Sequence, residues 1–271
     1  MTPVALATGV TLQVATAGNP ANPAIILLHG FPESHRTWRR QMAALAETHF
    51  VIAPDQRGYA ASSKPVAVGD YAIDRLVADV IALADHFGLS TFTLAGHDWG
   101  GVVAWAAAAT WPQRVARLIV LNAPHPVIFA KSLRENGAQQ HASRYIDRIR
   151  ATRIDRSRMV RAVLASALVQ RVARRFGAAH LDEWSRQGAL TGMLNWYRAV
   201  PEGAGPGAAM PIVTQPTLVI WGMRDRYLLP VQLDGLDALV PDLTLVRLDA
   251  GHFVTWRAAE AVTAAMLDWL T

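Results

Sequence analysis

The sequence predicts an α/β protein, a mostly parallel sheet flanked by helices, with a helical insertion interrupting the alternation. Three observations carry that prediction. Short apolar runs alternate with longer amphipathic stretches, as parallel strands joined by crossover helices require. The 271 residues are 52% hydrophobic and 17% charged, the composition of a packed chain and enough length for a single core with an insertion. The alternation also stops near residue 126 and resumes near residue 213.

Each element follows in turn. AIILL (24–28) reads as a buried strand ending at HGFPES, and FVIA (50–53) as the next, ending at PDQRGY. TFTLA (91–95) runs into a glycine-flanked turn, with GVVAWAAAAT (101–110) as a strong helix behind it. RLIVL (117–121), TLVIW (217–221) and LTLVRL (243–248) supply three more strands. Helical spacing fills 35–47, 71–87 and 256–270. From 126 to 212 only helical periodicity is found, closed by the Gly/Pro-rich EGAGPGAAMP. The chain is therefore divided into a core of residues 1–125 and 213–271 and a helical lid, or cap, of residues 126–212.

Composition narrows the function classes. Cysteine is absent, which excludes disulfides and thiolate metal sites and fits a reducing, cytoplasmic setting. The start, MTPVALATGVTLQV, has neither the basic segment nor the apolar run of a signal peptide, and no uncharged apolar stretch is long enough to span a bilayer. The net charge of +5 is uneven: from Lys131 to Arg175 twelve Lys and Arg face only Glu135, Asp147 and Asp155. Ile146, Ile149, Ile154, Met159 and Val163 recur among those arginines at roughly helical spacing, so the charge reads as solvated helix faces. With no nucleic-acid motif beside it, neither a nucleic-acid nor a membrane partner is expected.

The chemistry centres on LAGHDWGG (94–101). A nucleophile on a tight strand-to-helix turn needs small neighbours, and Gly96, Gly100 and Gly101 meet that need. Serine usually occupies the centre of such a turn; here it is Asp98. Asp225, in the loop after TLVIW, and His252, in the loop after LTLVRL, follow in the chain order of the α/β-hydrolase fold. Asn122 holds an alternative acid position but carries no charge, and Asp249 sits at the end of its strand, so Asp225 is the better partner for His252. A carboxylate is already ionised near neutral pH and attacks a saturated electrophilic carbon directly, giving an alkyl ester. His252, oriented by Asp225, then activates water against that ester, and the backbone N–H groups of Phe31 and Trp99 form the oxyanion hole.

HGFPES (29–34), PDQRGYAASSKP (54–65), GHDWGG (96–101), WGMRD (221–225) and GHF (251–253) together resemble the α/β-hydrolase-fold epoxide hydrolases, the Asp-nucleophile branch related to haloalkane dehalogenases. The resemblance covers the chain outside the lid and implies an α/β-hydrolase fold with the lid inserted after the sixth strand. It also implies conversion of an epoxide and water to a vicinal diol, with no cofactor or metal, and leaves a homodimer open. GMLNWYRA (192–199) resembles the segment carrying one of two tyrosines that hydrogen-bond the epoxide oxygen, which points to Tyr197. The resemblance implies a second tyrosine early in the lid, where ASRYIDRIR offers Tyr145. Opening an epoxide develops an alkoxide, a poor leaving group that needs a neutral acid. Trp99, Phe31 and Trp196 are expected to line the pocket, Asp55 and Arg57 to pair with each other, and Pro32 to follow a cis bond. After Tyr145 the family often has a Pro-Gly and acidic stretch where this chain has ATRIDRSRM.

Two rivals share parts of this pattern. A haloalkane or haloacid dehalogenase would use Trp99 with Trp184 or Trp196 to bind halide, but Phe31 stands where many dehalogenases carry asparagine. Trp99 and Val102 stand where fluoroacetate dehalogenases place arginines. A binding protein on a retired hydrolase would have lost a catalytic residue, whereas Asp98, Asp225 and His252 are all present.

Overall fold

The computed structural model describes residues 1–151, 178–200 and 210–271. The strands are β1 (Thr2–Ala5), β2 (Thr11–Ala17), β3 (Ala24–Leu28), β4 (Phe50–Asp55), β5 (Phe92–His97), β6 (Val115–Leu121), β7 (Thr217–Gly222) and β8 (Leu243–Leu248). They form one sheet in the order β1-β2-β4-β3-β5-β6-β7-β8. From β4 to β8 all neighbours are parallel; β1 and β2 extend the β4 edge in antiparallel fashion.

A parallel sheet of this kind must be covered on both faces, and β3 is buried at every position. Ile25 and Leu27 join one apolar cluster while Ile26 and Leu28 join the other, as the two-residue period of a strand requires. The first cluster is closed by Met42 and Leu45 of α1 (Arg39–Leu45). Against the second lie α2 (Ile73–His86) and α3 (Trp99–Thr110).

Between β6 and β7 the chain forms α4 (Pro126–Glu135), α5 (Gly137–Ala151), α6 (Ala178–Ser185) and α7 (Ala189–Arg198), with no strand among the described residues of that insertion. The basic run from Arg153 to Arg175, with Ile154, Met159 and Val163, lies outside the described residues, as does most of the Gly/Pro-rich stretch. After β8 come α8 (Val254–Arg257) and α9 (Ala259–Leu270), whose Val262 and Met266 complete the first cluster.

The six runs read as strands correspond to β3 through β8, with LTLVRL matching end to end. Three details differ. The sequence reading assigned no strand before residue 24, yet β1 and β2 form a hairpin whose Val4, Leu12 and Val14 are buried among Thr, Ala and Gln. The helix expected at 35–47 begins as a 3-10 turn over His35–Trp38, with Ser34 accepting the Arg36 N–H. The helix expected at 256–270 starts earlier and breaks at Ala258, whose φ of −124° and ψ of 37° interrupt the hydrogen-bond ladder. No helix among the described residues is long and apolar enough to cross a membrane.

Candidate active site

Asp98 sits between β5 and α3 with φ 51° and ψ −120°, a conformation that costs energy for a residue with a Cβ. Two glycines make the turn possible. A Cβ on Gly96 would run into the backbone of Gly100, and a Cβ on Gly100 into the carbonyls of Leu28 and His29. The strain aims the carboxylate at the C-terminal edge of the sheet, beyond β5, where ligands bind in open α/β sheets. There its Oδ1 accepts the Phe31 N–H at 2.8 Å, while its Oδ2 lies 3.4 Å from His252 Nε2. Trp99 opens α3, so its backbone N–H is one of the first-turn donors that lack a partner within the helix. The Phe31–Pro32 peptide bond is cis.

Asp225 and His252 reach the same spot from the ends of β7 and β8. His252 Nδ1 lies 2.7 Å from Asp225 Oδ2, which also accepts from Asn122 Nδ2 at 2.7 Å. Asp225 Oδ1 accepts the N–H groups of Tyr227 and Leu228 at 2.8 and 3.1 Å. Burial opposes ionisation of Asp225, but His252 and those hydrogen bonds outweigh it and hold the carboxyl below its ordinary range. Burial likewise opposes charge on His252, yet the carboxylates of Asp225 and Asp98 hold its pKa well above the ordinary histidine value. Asp249 lies just beyond β8, exposed and paired with Arg224, away from this group.

The insertion brings both of its tyrosines over Asp98. Tyr145 from α5 and Tyr197 from α7 meet edge to face with centroids 6.3 Å apart, and both line a cavity of about 360 Å³ that opens on Asp98. Val102, Pro126, Phe129, Ala130 and Leu133 make its apolar wall. Burial, reinforced by Tyr145 and Asp98, pushes the Tyr197 hydroxyl far up, and burial with Asp98 and Asp225 does the same to Tyr145. Both are therefore neutral donors at physiological pH. Phe31 and Trp196 are not among the residues lining the cavity, contrary to expectation. Phe31 reaches the site through its N–H and packs its ring on Tyr197 at 5.2 Å, while Trp196 packs between Tyr59 and Trp99. Trp99 does line the cavity.

The expected Asp55–Arg57 pair does not form. Arg57 instead makes a bidentate, buried pair with Asp79 of α2, at 2.7 and 2.6 Å, and Asp55 accepts from the backbone and ring of His35. The geometry explains why this turn matters. The Arg57 carbonyl accepts Trp196 Nε1 at 2.9 Å, and Gly58 packs backbone to backbone on Gly192, so the turn seats α7 and with it Tyr197. Trp184 Nε1 likewise donates to the Pro32 carbonyl at 2.7 Å. Neither indole offers its N–H to the cavity.

Three supporting links escaped the sequence reading, which had placed Asn122 and His97 beside the site without their contacts. Asn122 bridges β6 to the Asp225 loop by accepting the Gly222 N–H and donating to Asp225. Glu33 and His97, both fully buried, meet at 2.8 Å beneath the loop that carries Phe31, and His97 Nε2 contacts the His252 carbonyl at 2.9 Å. Burial would raise the Glu33 pKa, but the charge and hydrogen bond of His97, with a further bond from Thr37, bring it down to about 2. The third, Gln139, joins α5 to the loop after Asp225. The one sequence signal for Glu33 and His97 was their place inside HGFPES and GHDWGG.

Comparison with known proteins agrees with this arrangement. A family model described as the alpha/beta hydrolase fold matches residues 23–259. The chain is 36% identical to the AB hydrolase superfamily protein YfhM of Bacillus subtilis, over 97% of its own length and 95% of that protein. It is 32% identical to epoxide hydrolase A of Mycobacterium tuberculosis, again over 97% and 95% of the two chains. A solved structure from work on epoxide hydrolases in metagenomes of hot environments superposes with a TM-score of 0.88 at 41% identity, covering 100% of this chain and 98% of that one. The chain belongs to the α/β hydrolase fold family and, within it, to the epoxide hydrolases.

Proposed function

We propose that this enzyme hydrolyses epoxides to vicinal diols through an alkyl ester on Asp98, and that residues 126–212 act as the lid carrying the acids. The observation that carries this reading is the pair of buried, neutral tyrosines, Tyr145 and Tyr197, lining one cavity with Asp98. Halide departure needs no proton, whereas an epoxide oxygen does.

In the first step Asp98 Oδ2 attacks an epoxide carbon. The C–O bond of the ring breaks, and the oxygen takes a proton as Tyr145 and Tyr197 donate to it. Oδ1, held by the Phe31 N–H, becomes the ester carbonyl oxygen. Esterification removes one of the two carboxylates that hold the His252 pKa up. His252 thereby becomes a stronger acid: its proton restores the tyrosine that gave one to the epoxide oxygen, and the neutral imidazole is then a base for the second step. It takes a proton from water, the resulting hydroxide adds to the Asp98 carbonyl carbon, and charge develops on Oδ1. The N–H groups of Phe31 and Trp99 receive that charge. The ester C–O bond then breaks, the departing alcohol takes its proton from His252, and the Asp98 carboxyl passes its own proton to His252, which restores the starting state.

The apolar wall from α3 and α4 supports an alkyl or aryl arm on the substrate. The lack of cysteine supports a cytoplasmic setting. Incubation with styrene oxide and, separately, 1-chlorobutane tests the reading. Diol from the first and no chloride from the second are expected; chloride release without diol would overturn it.

A further inference from the structure

Gln139 takes no part in the steps above, yet it is completely buried. It lies in the first turn of α5, six residues before Tyr145, where its own N–H donates to Asn136 Oδ1 at 2.9 Å. Its side chain leaves the helix and grips the loop that carries the catalytic acid. Nε2 donates to the Tyr227 carbonyl at 2.8 Å and to Ser143 Oγ at 2.9 Å, and Oε1 accepts the Leu229 N–H at 2.9 Å.

The opposite side of the same loop holds Asp225, whose Oδ1 accepts the N–H groups of Tyr227 and Leu228. One short segment is thus bonded to the catalytic carboxylate on one side and to Gln139 on the other. The ring of Tyr227, fixed by the same bonds, lies edge to face with His252 and with Tyr145, each at 5.4 Å. A primary amide presents an acceptor and two donors together, which is what the Leu229 N–H, the Tyr227 carbonyl and Ser143 require. A carboxylate would set oxygen against the Tyr227 carbonyl. An apolar side chain would leave the Tyr227 carbonyl and the Leu229 N–H, both in part-buried bonds here, without these partners.

We propose that Gln139 is a positioning residue that locks the lid helix bearing Tyr145 to the Asp225 loop, so that one side chain sets both halves of the reaction. The inference rests on the reading that Tyr145 assists ester formation and that Asp225 and His252 drive ester hydrolysis. Under it, the three kinds of variant part ways. Tyr145→Phe slows ester formation alone, and Asp225→Asn slows ester decay alone. Gln139→Met, similar in length and apolar, slows both.

The test is single-turnover stopped-flow on the full chain with styrene oxide, following tryptophan fluorescence, because Trp99 adjoins the nucleophile and reports the ester. At saturation the rate constants of the two phases do not depend on how much protein is folded, so a loss of stability alone leaves them unmoved. In Gln139→Met both constants are expected to fall by roughly tenfold to a hundredfold, the scale of a misplacement of about 1 Å in a catalytic group. Gln139→Glu, which keeps an acceptor for Leu229 and loses both donors, is the second variant should Met fail to fold, and it is expected to slow both phases. If either variant leaves both constants within about twofold of the wild type, or if only one phase moves, the coupling is overturned. If the wild-type enzyme shows no ester phase at all, the two-step reading falls and the coupling with it, which separates the two failures.

Discussion

Tyr197→Phe removes one hydroxyl and keeps the ring, so its consequences can be worked from the contacts around it. The ring meets Phe31, Trp99 and Tyr145 edge to face at 5.2, 5.0 and 6.3 Å, and phenylalanine preserves all three. Folding should therefore change little, and the loss falls on the proton donor to the departing oxygen. Removing one preorganised donor from a developing oxyanion costs about 10²- to 10³-fold, equivalent to about 2.7–4 kcal/mol. Tyr145 remains beside it and shares the charge, which places the single variant near the hundredfold end. Among the described residues, the indole N–H groups of Trp184 and Trp196 are engaged by the Pro32 and Arg57 carbonyls and do not stand in for the lost hydroxyl. The double variant with Tyr145→Phe should accordingly lose measurable epoxide opening. Single-turnover kinetics with styrene oxide should show ester formation slowed and ester decay unchanged. Ester formation within about threefold of the wild type in Tyr197→Phe, against the two decades expected of a lost donor, would refute the reasoning.

Other consequences concern the supports of the site. Asp79→Asn leaves the Arg57 guanidinium buried without its bidentate partner and should cost about 3–5 kcal/mol in urea unfolding; a loss close to zero would mean that the pair is not structural. Glu33 behaves as a carboxylate whose folded pKa is depressed from 4.5 to about 2. Its stabilisation is thus fully present above about pH 4.5 and is lost as pH falls toward 2. The gap in melting temperature between wild type and Glu33→Gln should be widest at neutral pH and narrow below that value; a constant gap down to acid pH would contradict the His97–Glu33 pairing.

What could be read from the residues in advance followed physical locality. β3 to β7 announced themselves because a parallel strand covered on both faces is a largely apolar run, and β8, an edge strand with Thr244 and Arg247 exposed, still carries four apolar residues. The β1–β2 hairpin did not, because its edge position mixes Thr, Gln and Ala with Leu12 and Val14. Asp98, Asp225 and His252 were legible because each follows a strand. The contacts of Glu33, Asn122 and Gln139 were not, since their partners lie 64, 103 and 88 residues away. Arg57 was given its nearest acid, Asp55, when its partner stands 22 residues along in α2. Trp196 and Tyr197 are adjacent in sequence but about 100° apart around a helix, so one seats α7 on the Arg57 turn while the other enters the cavity.

The central claim is the ester on Asp98, and the variant His252→Gln tests it most directly. It removes the base for the second step and leaves Asp98 and both tyrosines in place. After incubation with styrene oxide, the peptide containing Asp98 should carry an added mass equal to one molecule of the epoxide, and the adduct should be absent from Asp98→Ala in the His252→Gln background. An unmodified Asp98 peptide, from a variant shown to be folded and to consume the epoxide, would contradict the two-step mechanism.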